Sequence, residues 1–289
     1  MNNLNRKISI VNNVKFIEEN NEKYVIKEKK NNDTRELFSY LKSKSFINYL
    51  DYINDDKEKY MVFPYVNSVI KDKDEIGKDL IILIANLHAK TSFYKRYTEY
   101  EAKSFYEEKL EYLENIDKYY EDLRKLLEEE EFISPSGYLL LRNISWIFHS
   151  LNSSRYFLDK WYEIIKTKKN RRICLIHGNL EFSHLLEDEN KFIISWDNAR
   201  NDVCIYDLLI LYKKHFHEVY FYNLFKIYEE CFPMLQEERY LLFSMMLLPE
   251  KLELNKREII NTKEVFDLIE FLKSSSNIIS KYHSANSDN

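Results

Sequence analysis

The sequence predicts an α+β chain in two lobes: a small antiparallel-sheet N-lobe, then a large, mainly helical C-lobe. Three observations carry that expectation. Residues 1–66 hold short apolar runs broken by Asn-rich turns, the pattern of strands. From residue 67 to 280 apolar residues recur at helical spacing. Residues 171–199 interrupt the helices with short extended runs around loops, a hairpin set inside the helical part.

Taken in order, "ISIVNNVKFIEENNEKYVIKEKK" reads as two or three strands, and "NNDTRELFSYLKSKSF" as a helix with Asp33 or Thr34 as N-cap and Glu36 in its first turns. "FINYLDYINDDKEKYMVFPYV" gives two more strands around a polar turn. "DEIGKDLIILIANLHAKT" places Ile76, Leu80, Leu83, Ile84, Leu87 and His88 on one broad apolar face. The charged, aromatic-studded stretch from Thr98 to Glu131 is one long helix or two shorter ones. The next helix has Ser134 as its cap and Pro135 at its first position. After the hairpin the chain is helical from Ile205 to about Ser280, and the polar residues 281–289 are expected to form a disordered tail.

Composition excludes several functions. Apolar residues make up 45% and charged residues 31% of 289, ordinary for a soluble globular chain. Only three glycines occur, where about 7% is typical, so there is neither a G-x-G-x-x-G dinucleotide turn nor a Walker-type phosphate loop. The net charge of −5 is mild, and no basic arm or patch-forming run suggests nucleic acid. Cys174, Cys204 and Cys231 are odd in number and widely spaced, fitting reduced thiols better than a disulfide frame or zinc site. No apolar run approaches the ~18 residues of a membrane span, and the first residues lack a signal-peptide core. A cytoplasmic protein without membrane insertion is expected.

The segment "LIHGNLEFSHLLEDENKFIISWDNA" (175–199), the "YVIK" strand, "LIANLHAKT" and "NDVCIYDLL" together resemble the aminoglycoside phosphotransferase and choline kinase family, of protein-kinase-like fold, over most of the chain. Within it they resemble a degenerate bacterial branch with HGN and SWD at these places. The resemblance implies that Lys27 is the nucleotide-phosphate lysine and Glu36 its ion-pair partner, against the alternative of two surface charges. It implies that Phe63, Tyr65 and Val66 lie in the hinge that offers backbone groups to adenine, and that His88 is a packed structural histidine. The family's catalytic loop reads H-G-D-x-x-x-x-N; here His177, Gly178, Asn179 and His184 stand at the named places. Its metal-binding I-D-W-[ED] becomes Ile194, Ser195, Trp196 and Asp197. Asp207 is expected to brace the loop backbone.

These replacements have physical consequences. An asparagine amide has no useful basicity, so Asn179 can only hydrogen-bond a hydroxyl; losing a general base costs on the order of 10²–10⁴ in rate. Mg²⁺ wants hard oxygen ligands, and Ser195 and His184 supply a neutral hydroxyl and a nitrogen. His177 reads as a loop brace, with catalytic base or ligand as the alternative; His177 with His184 lacks a third metal ligand. Asp197 would share a strand face with Ser195 and either forms a salt bridge or cap, or rescues a metal, with Asp202 as a further acid. The favoured reading is a pseudoenzyme that binds ATP or another nucleotide weakly and without Mg²⁺, acting through a protein partner. The alternatives are an active ATP-dependent small-molecule phosphotransferase rebuilt around Asp197, and a non-binding scaffold of the kind found among kinase-like spore-coat proteins.

Overall fold

Antiparallel strands β1 (Lys7–Val11), β2 (Val14–Glu19) and β3 (Glu22–Glu28) open the computed structural model, which describes residues 7–11, 14–19, 22–28, 34–55 and 60–287. Helix α1 (Thr34–Ser43) follows, then β4 (Asn54–Asp55) and β5 (Tyr60–Pro64). The sheet order is β1-β2-β3-β5-β4, so β3 is central and Lys27 lies opposite Met61. The expected cap Asp33 and residues 12–13 and 56–59 lie outside the described residues. Helix α1 buries Phe38 and Leu41, three residues apart on one face, with Phe38 stacked near Tyr49 and Tyr52.

The helical part begins with α2 (Lys73–Thr91), whose Asp72 cap accepts the Glu75 N–H at 2.8 Å. Strand β6 (Phe93–Arg96) leads to α3 (Glu99–Glu129), a single helix opened by a Thr98–Glu101 capping box. Helix α4 (Pro135–Ile165) starts as its sequence predicts, with the Ser134 hydroxyl accepting from Gly137 N–H. Strand β7 (Asn170–Ile176) is flanked by β6 and β10 (Arg200–Asp202); between them β8 (Leu185–Glu187) and β9 (Lys191–Ile193) form a hairpin. Helices α5 (Ile205–His215), α6 (Phe221–Cys231), α7 (Gln236–Leu247) and α8 (Glu258–Ser287) complete the chain.

Helix α8 corrects the expectation of a disordered tail from residue 281: it continues to Ser287. The reason is packing. Ile278, Ile279 and Tyr282 keep the helical spacing and are buried, Tyr282 lying against Tyr222 and Phe243. Helix α2 carries the fully buried Leu80, Ile81, Ile84, Ala85 and Leu87. The β8–β9 hairpin is stitched to the segment after α1: Ile193 N–H donates to the Asn48 carbonyl at 2.9 Å, and the Asn48 amide donates to the Lys191 carbonyl at 3.0 Å. These bonds tie the sheet-bearing part to the loops of the cleft.

Candidate functional site

Strand β7 delivers the loop. It ends at the fully buried Ile176 and His177, and Gly178 turns the chain with φ +75°. A Cβ at Gly178 would sit 2.3 Å from the Asn198 carbonyl oxygen, so both the conformation and the space require glycine. Asp207, wholly buried at the start of α5, accepts the N–H of His177 at 2.7 Å and of Gly178 at 2.8 Å. His88 Nε2 lies 3.1 Å from the same carboxylate, and His88 Nδ1 lies 2.7 Å from the Tyr228 hydroxyl. Burial pushes the Asp207 carboxyl up, but His88, His177 and the Gly178 amide outweigh it and hold it below its ordinary value. Asp207 therefore stays ionised as the brace of the loop, and His88 packs beneath it.

His177 has no nitrogen left for chemistry. Its Nε2 lies 2.9 Å from the Ile194 carbonyl, which can only accept, so Nε2 carries the proton; Nδ1 accepts from Asn179 N–H at 3.4 Å. Burial pushes its pKa down, which keeps the ring neutral. The His184 ring lies 5.5 Å from that of His177. Burial, with His177 beside it, pushes the His184 imidazole down to about 4. Its Nδ1 has no hydrogen-bond partner among the described residues, and Nε2 is 3.5 Å from Glu181. The Trp196 indole packs against His177 and Phe46 and donates to the Ile193 carbonyl.

Two charge pairs occupy the cleft. The Lys27 ammonium pairs with Asp197, both side chains about three-quarters buried. This corrects the expected Lys27–Glu36 pair. Glu36 and Phe38 are two residues apart, about 200° around α1, so burying Phe38 turns Glu36 outward; it is exposed and forms no ion pair among the described residues. Glu36 and Asp197 nevertheless line one cavity of about 360 Å³, with Tyr40, Trp196 and Arg200. In the second pair, Lys214 from the last turn of α5 donates to the Asn179 amide oxygen at 3.0 Å and to Glu181 at 3.2 Å. The Ser183 hydroxyl and Lys214 hold the Glu181 carboxyl below its usual range against the effect of burial.

Sequence reasoning missed Glu181 and Lys214. Glu181 was discoverable as the one acid inside the loop between Asn179 and His184; nothing local marks Lys214, which reaches Asn179 across 35 residues. Ser195 is left-handed (φ 68°, ψ 48°) and opens a short 3-10 turn over Trp196–Asn198. Ser195 and Asp197 are thus not alternate residues of a strand, and the predicted shared face does not form. Asp202 is engaged by Arg200 and the Val203 N–H. At the expected hinge, Phe63 lies opposite Val25, and Tyr65 N–H is taken by the Lys23 carbonyl at 3.1 Å. Val66 N–H has no protein acceptor among the described residues.

The Lys27 ammonium suits an anionic phosphate, and the acid beside it is Asp197. Among the described residues no three His, Cys, Asp or Glu side chains converge on a point, and the Asp197 carboxylate is shared with a lysine.

No protein-family model matches the sequence, and no curated protein sequence matches it. Solved structures do match. An aminoglycoside phosphotransferase from Alicyclobacillus acidocaldarius superposes with a TM-score of 0.71 at 9% identity, covering 98% of this chain and 93% of the other. A spectinomycin phosphotransferase bound to AMP superposes with a TM-score of 0.55 at 12% identity, over 94% and 93% of the two chains. The chain has the protein-kinase-like fold of the aminoglycoside phosphotransferases.

Proposed function

We propose that this chain is a pseudoenzyme of the phosphotransferase fold: a protein that takes a nucleotide into the cleft without a metal and acts through a protein partner. One observation carries the reading. The position of the family's catalytic acid is held by the Asn179 amide, itself bonded by the Lys214 ammonium. Neither the amide nor the ammonium bonded to it can accept the proton of a substrate hydroxyl, and general-base catalysis needs an acceptor of suitable pKa within hydrogen-bond reach. The neutral Ser195 and His184 at the metal positions support the same reading, since phosphoryl transfer rests on positioning and charge neutralisation by metal. Nucleotide binding is supported by Lys27, by Val66 and by the AMP complex of a protein of this fold.

The experiment is a thermal-shift titration with ATP, with and without Mg²⁺, alongside ATP turnover. A metal-independent shift that disappears in Lys27→Met, with no turnover, is expected; at ~100-fold excess over Kd it amounts to about 2.7 kcal/mol. No shift under either condition overturns the nucleotide part. A second reading, an active phosphotransferase, is favoured by Asp197, whose carboxylate reaches the phosphate lysine. A Mg²⁺-dependent shift with turnover, both lost in Asp197→Asn, would establish that enzyme instead.

A further inference from the structure

Away from the cleft, the far end of β7 gathers positive charge. Five of the seven residues 166–172 (KTKKNRR) are basic, and β6 lies antiparallel beside the end of this run, with Arg96 opposite Asn170 and Lys95 opposite Arg171. Tyr97 N–H closes the ribbon on the Lys169 carbonyl at 2.9 Å. The expectation that no basic patch forms therefore fails. The run alone is short, and the pairing adds Lys95 and Arg96 from seventy-odd residues earlier.

Part of this charge is spent internally. Lys168 pairs with Glu237, Arg172 pairs with Glu238, and the Arg171 guanidinium lies 4.3 Å from the centre of the Tyr97 ring. Lys166 likewise lies 5.6 Å from the centre of the Tyr162 ring, which leaves Lys95, Arg96 and Lys169 exposed with no carboxylate within salt-bridge distance among the described residues. Two aromatics stand beside them on the same edge strand: Phe93 is 41% exposed and Tyr94 64%. Cations that guard a sheet edge against strand pairing are common, and this explains Lys95 and Arg96. A cation at the α4 C-cap, where Lys166 sits, is favoured by the helix dipole, but neither reason explains Lys169, which lies in the turn between α4 and β7, where there is no edge to guard.

We propose that this ribbon end docks the protein on an anionic phospholipid surface. Exposed aromatics set among lysine and arginine suit the headgroup layer, where the rings enter the interface and the cations meet anionic lipid. The chain is net negative, so general attraction to polyanions is absent and the local patch must orient the approach. The attachment is peripheral: among the described residues no helix is long and apolar enough to cross a membrane. An exposed edge strand and turn meet a plane more readily than they enclose a single nucleic-acid strand, which binds in a basic groove. This proposal is independent of the nucleotide reading.

The test is co-sedimentation of the full chain with vesicles of phosphatidylcholine alone and of phosphatidylcholine mixed with phosphatidylserine. Binding to the mixed vesicles only, weakened by salt, is expected. Each Lys or Arg near anionic lipid is worth about fivefold in affinity, so K95Q/R96Q/K169Q should lose about a hundredfold while its thermal unfolding stays unchanged. Tyr94→Ser should weaken binding with the charge intact, which a purely electrostatic contact would not show. Absence of binding, equal binding to neutral vesicles, an unaffected triple variant, or tighter binding to single-stranded RNA than to mixed vesicles would each overturn the proposal.

Discussion

Asp207 holds the loop by accepting N–H groups from two consecutive residues while meeting His88 below, all in a wholly buried setting. Asparagine at this place would turn an NH₂ toward one of those donors and leave it unsatisfied. Asp207→Asn should therefore destabilise by about 3 kcal/mol, measured by urea unfolding. Glu36→Gln, at an exposed position without an ion pair among the described residues, should stay within about 0.5 kcal/mol of the parent. His177, Gly178 and Asp207 were readable as a bracing set because two are adjacent in one motif and the third opens the next helix. The partner of Lys27 was not. Glu36 and Asp197 were both plausible acids, and the choice depended on how α1 turns to bury Phe38, which a motif does not specify. Lys214 lay beyond reach for a similar reason: only the packing of α5 beside the loop brings its ammonium to Asn179.

Among the elements, α2 shows most directly how hydrophobic spacing becomes a scaffold for the cleft. Leu80 is fully buried, whereas Ile82, two residues on and so on the opposite side, is 40% exposed. Leu80→Ala should cost about 3 kcal/mol through lost transfer energy and the cavity left behind. Ile82→Ala should cost under about 1 kcal/mol, since little is unburied and alanine favours the helix. Comparable losses at both positions in chemical denaturation would contradict this assignment of faces. Long helices of this kind were legible from spacing and, as at Ser134–Pro135, from caps, whereas the Thr98 capping box that opens α3 was not read. The short elements were less so. Ser195 breaks the apparent strand "FIISWD" with a left-handed residue, and nothing in a serine announces that conformation. The last turns of α8, beyond Ser280, were also hidden, because the polar residues around Tyr282 masked its burial.

At the scale of the whole molecule, the buried histidines of the cleft link folding to pH. His177 and His184 are both depressed by burial, His184 to about 4, while an unfolded histidine titrates near ~6.5. Above that pH neither state binds the protons and stability is unaffected. As pH falls below about 6.5 the unfolded chain takes up protons that the folded chain refuses, so stability falls. Each histidine contributes a slope of up to about 1.4 kcal/mol per pH unit. For His184 the loss levels off once the folded ring also protonates, near 4. The unfolding temperature should thus drop between pH 7 and pH 5, well before carboxylate protonation dominates. His184→Gln removes one of the two contributions whatever its effect on absolute stability. The useful reading is therefore the difference between the two pH values, which should shrink by roughly half the histidine-dependent part. An undiminished difference in that variant would mean that His184 is solvated and freely protonated, and that the cleft is more open than its packing against His177 implies.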